Sequence, residues 1–551
     1  MHRLFALLAF PLLVIAAHAA QPPAAAIASA HPLATDAGME ILNAGGNAFD
    51  AAVAVSAALA VVAPMSCGLG GGGFWLLHRA RDNFETFIDG RETAPRAATR
   101  DMYLDASGNV VPNLSLDGPL SAAIPGTPAA LAHLAKKYGR LPLTRSLTPA
   151  IRLARDGFAT DESYRRVAEF RAAALTSAPG LLDQGKPPQS GFLLKQPELA
   201  NVLTSLAKHG AAGFYRGEIA KKLVDGVRHA GGLWTLEDLA NYKTIERAPI
   251  RGEYHGMRIT SAPPPSSGGV ALVTMLNILS GYPLTALDAT TQKHLLVEAM
   301  RRAYRDRAEY LGDPGFVNVP IKQLLHPFYA AGLRAAIRLD RATPSSTLPT
   351  EVPVQQGPNT THFSILDRDG NRVAATLTVN YAFGSGFIPP GTGVLLNDEM
   401  DDFAAKPGVP NAYGLVGADA NAIAPGKRPL SSMTPTFLEN ERGVAILGTP
   451  GGSRIISMVL LAALEFSRGG NAVDMVALPR LHHQFVPDQI FYEADSLSLE
   501  QRHTLEKFGH RLEQTPDRYG DMQAVVWDRD NGVSAASDPR GAGKARVQTH
   551  P

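Results

Sequence analysis

Apolar positions along this chain change period several times, and the changes divide it into predicted elements. From 26 to 64 they recur at helical spacing: a run at 36–44 stops at Gly45-Gly46 and a run at 51–63 stops at Pro64, predicting two short, largely buried helices. The unbroken apolar stretch Phe74-Trp75-Leu76-Leu77-His78 reads as a strand. From 127 to about 341 the helical period returns in amphipathic runs at 128–137, 147–156, 270–279 and 293–310, which predicts a helix-rich scaffold. The segments 360–367 and 371–380 then read as two further strands.

Between those last two strands, Arg368-Asp369-Gly370 suits a three-residue hairpin loop with Gly370 in the left-handed position. In that register Asp367 faces Asn371 and, counting back, Thr360 falls opposite Thr378 on one face of the sheet. A two-residue Asp369-Gly370 loop would set Val379 opposite Thr360 instead. Ahead of the hairpin, 342–358 has no apolar period and is dense in Pro, Ser, Thr and Gln, so it reads as an extended tether ending at Asn359-Thr360.

Two glycine-rich stretches invite other chemistry. Gly68, Gly70 and Gly73 match a dinucleotide fingerprint in spacing, but a helix precedes them and a strand follows, the reverse of the order that phosphate binding requires. Close backbone packing is their expected role. Around Ser267, the density of Pro and Gly from 263 to 269 reads as a rigid turn leading into a helix.

Composition adds boundaries. The 551 residues are 45% hydrophobic, enough for a large core, and 52 basic against 51 acidic residues leave a net charge of +1. No global field draws nucleic acid or an anionic membrane, and a small ligand recognised locally is expected. Met1-His2-Arg3, the apolar run to Ala16 and the small-x-small Ala17-His18-Ala19 read as an export signal, too short and too interrupted by Pro11 to span a bilayer. A soluble protein in the periplasm or outside the cell is therefore expected. Cys67 is the only cysteine, so no internal disulfide can form, and it reads as a small packed residue.

The candidate chemistry begins at Thr360. A threonine hydroxyl needs a base, and the nearest is the α-amine of the same residue once the chain is cut before it. Asp398, Glu399, Asp401 and Asp402 in the turn 397–403 are placed to neutralise an ammonium, and Arg91 to grip a carboxylate. Ser431 and Ser432 offer adjacent hydroxyls, and Gly451-Gly452 offer bare backbone amides suited to an oxyanion hole. His362 reads as structural, since no Gly-x-Ser-x-Gly turn accompanies it, and His482-His483 lack the spacing of metal ligands.

These motifs together resemble the γ-glutamyltranspeptidases, members of the N-terminal-nucleophile hydrolases. The resemblance is carried by Asp89-Gly90-Arg91-Glu92, Thr360-Thr361-His362, the run from Asn397 to Phe403, Pro429-Leu430-Ser431-Ser432-Met433 and Pro450-Gly451-Gly452-Ser453-Arg454. It implies an α+β fold, a four-layer αββα sandwich. It also implies a leader at 1–19 and self-cleavage before Thr360 into a large subunit, 20–359, and a small subunit, 360–551, paired as a heterodimer.

By the same resemblance Thr360 is the nucleophile, Thr378 its hydroxyl partner, and Gly451 and Gly452 the oxyanion hole. Arg91, Ser431 and Ser432 hold the α-carboxylate of a γ-glutamyl group; Asn380, Glu399 and Asp402 hold its α-amine. Residues 406–414 resemble a lid with Tyr413 as its wall. Position 399 is Gln in some relatives, and either residue accepts from an ammonium. Glutathione and other γ-glutamyl compounds are the implied donors, and water, amino acids or peptides the acceptors, with no cofactor and no metal. Two rivals stand beside this reading: a glutaryl or cephalosporin acylase of the same superfamily, for which the lid and Asp402 are superfluous, and an exported amino-acid-binding protein, for which the tether and hairpin are.

Overall fold

The structure, a computed structural model, describes residues 21–346 and 360–548. The expected leader, and the expected tether from 347 onward together with Asn359, lie outside the described residues.

Two antiparallel sheets are assembled from segments distant in sequence. The first runs in the order Lys544–Val547, Ala26–Ser29, Thr361–Leu366, Arg372–Thr378, Gly72–Arg79, Phe84–Gly90 and Ile245–Arg247. The second runs Gly532–Ser537, Gln523–Asp528, Gly443–Gly448, Thr436–Glu439, Met257–Ser261 and Ile250–Tyr254. The strand Thr361–Leu366 packs across the sheet interface against Gly443–Gly448 and Gln523–Asp528. The mixed α+β class expected from the sequence is the one the chain adopts.

The strand Gly72–Arg79 shows why its sequence reads as unbroken apolar. Side chains alternate across a strand, and here both faces are covered. Phe74 and Leu76 join a core with the second sheet and with the helices Gly268–Leu279, Ala289–Tyr310 and Ile455–Ser467. Trp75 and Leu77 join a separate core with the helices Pro32–Asn43, Ala48–Val62 and Leu143–Asp156.

Local sequence explains where these elements begin. The helix expected at 51–63 runs Ala48–Val62, because Asn47 and Asp50 form a capping box: the Asn47 side chain accepts from the backbone N–H of Asp50, whose carboxylate accepts from that of Asn47. All fifteen residues of the helix are buried. The block 127–341 is not helical throughout. Ile250–Tyr254 and Met257–Ser261 form a hairpin whose two turn residues, His255 and Gly256, both take positive φ.

The glycine run packs as its composition demands. A Cβ on Gly70 would lie 2.1 Å from the Leu395 carbonyl oxygen, and one on Gly71 would lie 2.1 Å from that of Thr378. Glycine here lets the Gly72–Arg79 strand pair with Arg372–Thr378 right up to Thr378, which sits opposite Gly72. The turn before Gly268–Leu279 is held by Ser266 and Ser267, whose hydroxyls donate to the carbonyls of Met433 at 2.6 Å and Ser431 at 2.7 Å. Cys67 is buried among apolar side chains.

Candidate active site

The hairpin pairs Leu366 with Arg372 and Thr361 with Leu377, the register of a three-residue loop, and Gly370 has φ 87°. One position beyond, Thr360 meets Thr378, their hydroxyl oxygens 3.4 Å apart. The Thr378 oxygen also accepts the Asn380 backbone N–H at 2.8 Å. The Thr378 hydroxyl keeps its proton and a second lone pair for the contact with Thr360, so either hydroxyl can be the donor. Thr361 faces the other side of the sheet, as strand alternation requires. His362 bonds to Thr376 at 2.8 Å and Ser364 at 3.2 Å, and burial holds it down to about 3, so it is a neutral packing residue.

Ten of the eleven residues expected at the site line one cleft: Arg91, Thr360, Thr378, Asn380, Glu399, Asp402, Tyr413, Ser431, Ser432 and Gly452. The eleventh, Gly451, precedes Gly452 in the chain. Gly451 has φ 139° and Gly452 φ 55°, and a Cβ on Gly452 would lie 2.3 Å from the Tyr413 ring. Among the described residues neither N–H of this glycine pair donates to a protein acceptor.

The acidic turn is buried, contrary to the usual fate of such a turn. Asn397 anchors it, donating to the Gly70 carbonyl at 2.7 Å and to that of Ala123 at 2.8 Å. Asp398 accepts the Tyr381 N–H at 2.8 Å, and Asp401 accepts from Ser115 at 2.7 Å and from the Ala412 N–H at 3.0 Å. These two acids brace the turn, leaving Glu399 and Asp402 for the cleft.

Arg91 does not pair with its chain neighbours Asp89 or Glu92 at hydrogen-bonding distance through its guanidinium. It forms an ion pair with Glu399 and another with Asp402 at 2.5 Å, and donates to the carbonyls of Pro429 at 3.1 Å and Leu430 at 3.2 Å. The carboxylate-binding and amine-binding groups expected from the sequence are thus clasped together in the cleft.

Burial disfavours every charge in this cluster, and the pairing decides which charges survive. For Arg91 the three acids Glu399, Asp402 and Glu92 outweigh burial and hold the guanidinium above its ordinary value. Burial, reinforced by Glu92, lifts Glu399 well above the carboxylate range despite Arg91, and burial pushes Glu92 up to about 7. Asp401, also by burial, rises to about 6. Burial thus opposes ionisation of these acids, and Arg91 is the group that opposes burial at Glu399 and Glu92.

Tyr413 closes one side, its hydroxyl donating to the Asn380 carbonyl at 2.6 Å. Gln484, which sequence reasoning missed, ties this wall to the glycine turn: its amide donates to the carbonyls of Tyr413 and Gly414, and its oxygen accepts from Ser453 at 2.8 Å. Leu415 and Ile455, which no motif had marked, supply apolar lining together with Met433 of the 429–433 motif. Arg307, from the Ala289–Tyr310 helix, does not line the cleft but donates to the lining residue Ser432 at 3.2 Å. Its signal was available in the sequence as an unusual density of charge on a helix that turns out to be buried.

One group elsewhere has metal-ligand character. His294, Glu298 and His510 bring their ligand atoms within 4.8 Å of one another. Most of their ligand atoms are already engaged: His294 bonds to His510 at 2.8 Å and to the Arg338 carbonyl at 2.7 Å, and Glu298 accepts from Thr343 and Arg302 at 2.6 Å each, while Nδ1 of His510 has no hydrogen-bond partner among the described residues. The cluster fastens the segment 338–345 rather than presenting an open ligand set.

Residues 34–548 match the gamma-glutamyltranspeptidase family. The chain is 45% identical over 495 residues to a glutathione hydrolase proenzyme from Pseudomonas sp. (strain A14), covering 88% of this chain and 86% of that protein. To a glutathione hydrolase proenzyme from Escherichia coli (strain K12) it is 42% identical, covering 93% of this chain and 90% of that protein. Among solved structures, cephalosporin acylase from Bacillus halodurans superposes with a TM-score of 0.84 at 27% identity over 99% of both chains. Helicobacter pylori gamma-glutamyltranspeptidase superposes at 0.57 with 40% identity, over 58% of this chain and 94% of that one.

Proposed function

The chain belongs to the gamma-glutamyltranspeptidase family, and we propose that it is a self-processing enzyme whose nucleophile is Thr360. It is a glutathione hydrolase proenzyme in the sense of those relatives: the donor is glutathione or another γ-glutamyl amide, and the acyl group passes to water or to an amine. The reading is carried by one observation, the Thr360–Thr378 hydroxyl pair in a cleft that also holds Arg91, Glu399 and Asp402.

In the uncut chain the Thr360 nitrogen is an amide and cannot act as a base. We infer that the Thr360 hydroxyl attacks the Asn359 carbonyl, shifting the acyl group from nitrogen to oxygen. Water then hydrolyses the ester, leaving a carboxylate on Asn359 and a free amine on Thr360. The products would be a large subunit ending at 359 and a small subunit starting at 360, held together by sheets to which both contribute strands. The stack of helices, two sheets and helices accords with the αββα sandwich of N-terminal-nucleophile hydrolases.

In turnover the Thr360 amine takes the hydroxyl proton as the oxygen attacks the γ-carbonyl, and the Gly451 and Gly452 N–H groups face the oxyanion that forms. Collapse expels the leaving amine, which takes the proton, and leaves a γ-glutamyl ester on Thr360; water or an acceptor amine then releases it. Arg91, Ser431 and Ser432 would receive the α-carboxylate, with Asn380, Glu399 and Asp402 receiving the α-amine. A zwitterion entering the cleft separates Arg91 from its two acids and replaces each partner with one of the same sign, the α-carboxylate at Arg91 and the ammonium at the acids.

The acylase structure raises a second reading, a glutaryl donor that lacks the α-amine. It would leave Asp402 and Glu399 facing no ammonium, and the match to the acylase is 27% identical against 42–45% for the glutathione hydrolases. Export to the periplasm or medium, through a leader at 1–19, is part of the proposal; among the described residues no helix is long and apolar enough to cross a membrane. The test is hydrolysis of a γ-glutamyl anilide by protein that a denaturing gel shows as two chains. A single intact chain, or two chains with no release of the aniline, contradicts the reading.

A further inference from the structure

We propose that Arg307 is a positioning residue that makes the cleft selective for donors carrying a free α-carboxylate. The proposal rests on the γ-glutamyl reading above and adds a residue to it.

Arg307 lies on the buried side of the Ala289–Tyr310 helix, 5% exposed. Its Nε donates to the Ser267 hydroxyl at 3.1 Å and its Nη2 to the Ser432 hydroxyl at 3.2 Å. Among the described residues no carboxylate lies within ion-pairing distance of it, whereas Arg91 is matched by Glu399 and by Asp402. A buried guanidinium without a counter-ion is costly, because burial strips its hydration and no opposite charge replaces it. Burial lowers Arg307 to about 10, with Asp402 and Tyr304 opposing, so the group is still charged at neutral pH.

Of the two arginines at this end of the cleft, Arg307 is therefore the one whose charge has no protein partner. The two hydroxyls it holds explain what the charge is for. Ser267 passes its own proton to the Ser431 carbonyl at 2.7 Å, which ties the 431–432 turn to the helix. Ser432 accepts from Arg307, so its proton is left to donate elsewhere, and Ser432 lines the cleft. A carboxylate placed on Ser432 gains a polarised hydroxyl donor and a full positive charge one residue behind it. A ligand end that is neutral gains neither.

The test compares two anilide donors that differ only in that group: γ-glutamyl anilide and 4-aminobutyryl anilide, the same acyl chain with its α-amine and without its carboxylate. The readout is the ratio of their kcat/KM values for wild type, Arg307→Met and Arg307→Lys, each shown by gel to have formed two chains. The ratio is expected to fall roughly 10- to 100-fold in Arg307→Met, mainly through KM for the γ-glutamyl donor, as loss of a hydrogen-bonded charge would give. Arg307→Lys should recover part of it, keeping the charge while losing one of the two hydroxyl contacts. An equal loss on both donors marks Arg307 as structural only and overturns the proposal, as does an unchanged ratio. If Arg307→Met does not mature, Arg307→Lys decides: a ratio lowered at least about threefold supports the role, and a wild-type ratio overturns it. Wild-type protein that matures but leaves γ-glutamyl anilide intact would overturn the γ-glutamyl reading itself, and this inference with it.

Discussion

Thr360 and Thr378 face one another across the hairpin with their hydroxyl oxygens 3.4 Å apart, and the Asn380 N–H occupies the far side of the Thr378 oxygen at 2.8 Å. That arrangement ties the Thr378 hydroxyl to the Thr360 hydroxyl. Removing it should cost catalysis rather than binding. Thr378→Val is expected to lower kcat on the order of 10²-fold with KM changed far less, while Thr378→Ser stays near wild type. Thr360→Ala should remain one chain on a denaturing gel and release no product. Two chains from that variant would remove Thr360 from the processing step.

Gly452 tests the oxyanion site. Its φ of 55° is one that a β-carbon disfavours, and the added carbon would meet the Tyr413 ring at 2.3 Å. Gly452→Ala must therefore shift the turn or the tyrosine wall. Both movements displace the N–H groups from the reacting carbonyl, and kcat should drop roughly 10²- to 10³-fold. At Gly451 the added carbon meets the flexible end of Met458 at 2.7 Å, but φ 139° lies outside the left-handed well that an L residue can occupy, so Gly451→Ala should be at least as damaging as Gly452→Ala. Steady-state kinetics on both variants gives the order, and a reversed order would assign the oxyanion contacts differently.

Much of the site could be read in the sequence because its residues sit in short, ordered motifs. The Thr360–Thr378 pairing followed from a loop length and a strand period alone, and the register bears it out. What could not be read was long-range. That Arg91 would be clasped by Glu399 and Asp402 depends on bringing together positions some three hundred apart in the chain, through sheets whose strand order no local pattern encodes. Arg307 was only half legible: its helix carries an unusual density of charge, but on an amphipathic helix a charge is expected to face water, and only the packing of that helix against Gly268–Leu279 and Leu499–Lys507 puts it inside. The hairpin Ile250–Tyr254 to Met257–Ser261 was lost within a helical block because its edge strand alternates weakly.

Asp402 separates the γ-glutamyl reading from the acylase one. Its Oδ2 bonds to Arg91 at 2.5 Å and its Oδ1 accepts from Asn411 at 3.0 Å, so Asp402→Asn keeps the shape while removing a charge. Attraction for an ammonium is lost, and a donor without that group is indifferent to the change. The kcat/KM ratio of γ-glutamyl anilide to glutaryl anilide should fall about 10- to 100-fold in Asp402→Asn. A wild-type enzyme that prefers the glutaryl donor would favour the acylase reading outright.

Glu92 supplies a pH signature. Its carboxyl oxygens are buried with no hydrogen-bond partner among the described residues, and its nearest cation is Arg91 at 3.9 Å. Burial lifts the carboxyl from 4.5 to about 7 against the pull of Arg91. The folded protein therefore holds a proton here that the unfolded chain has released, across the window from about pH 4.5 to about pH 7. Stability from this group is full below that window, declines as pH rises through it, and levels off above. Glu92→Gln cannot ionise and removes the decline. The melting temperature of Glu92→Gln minus that of wild type should accordingly increase from pH 5 to pH 8, by a few degrees at most for a chain of this size. Calorimetry of the mature protein at constant ionic strength measures that difference directly. Parallel curves across the window would mean that Glu92 is ionised in the fold and that Arg91, shared with Glu399 and Asp402, compensates its charge as well.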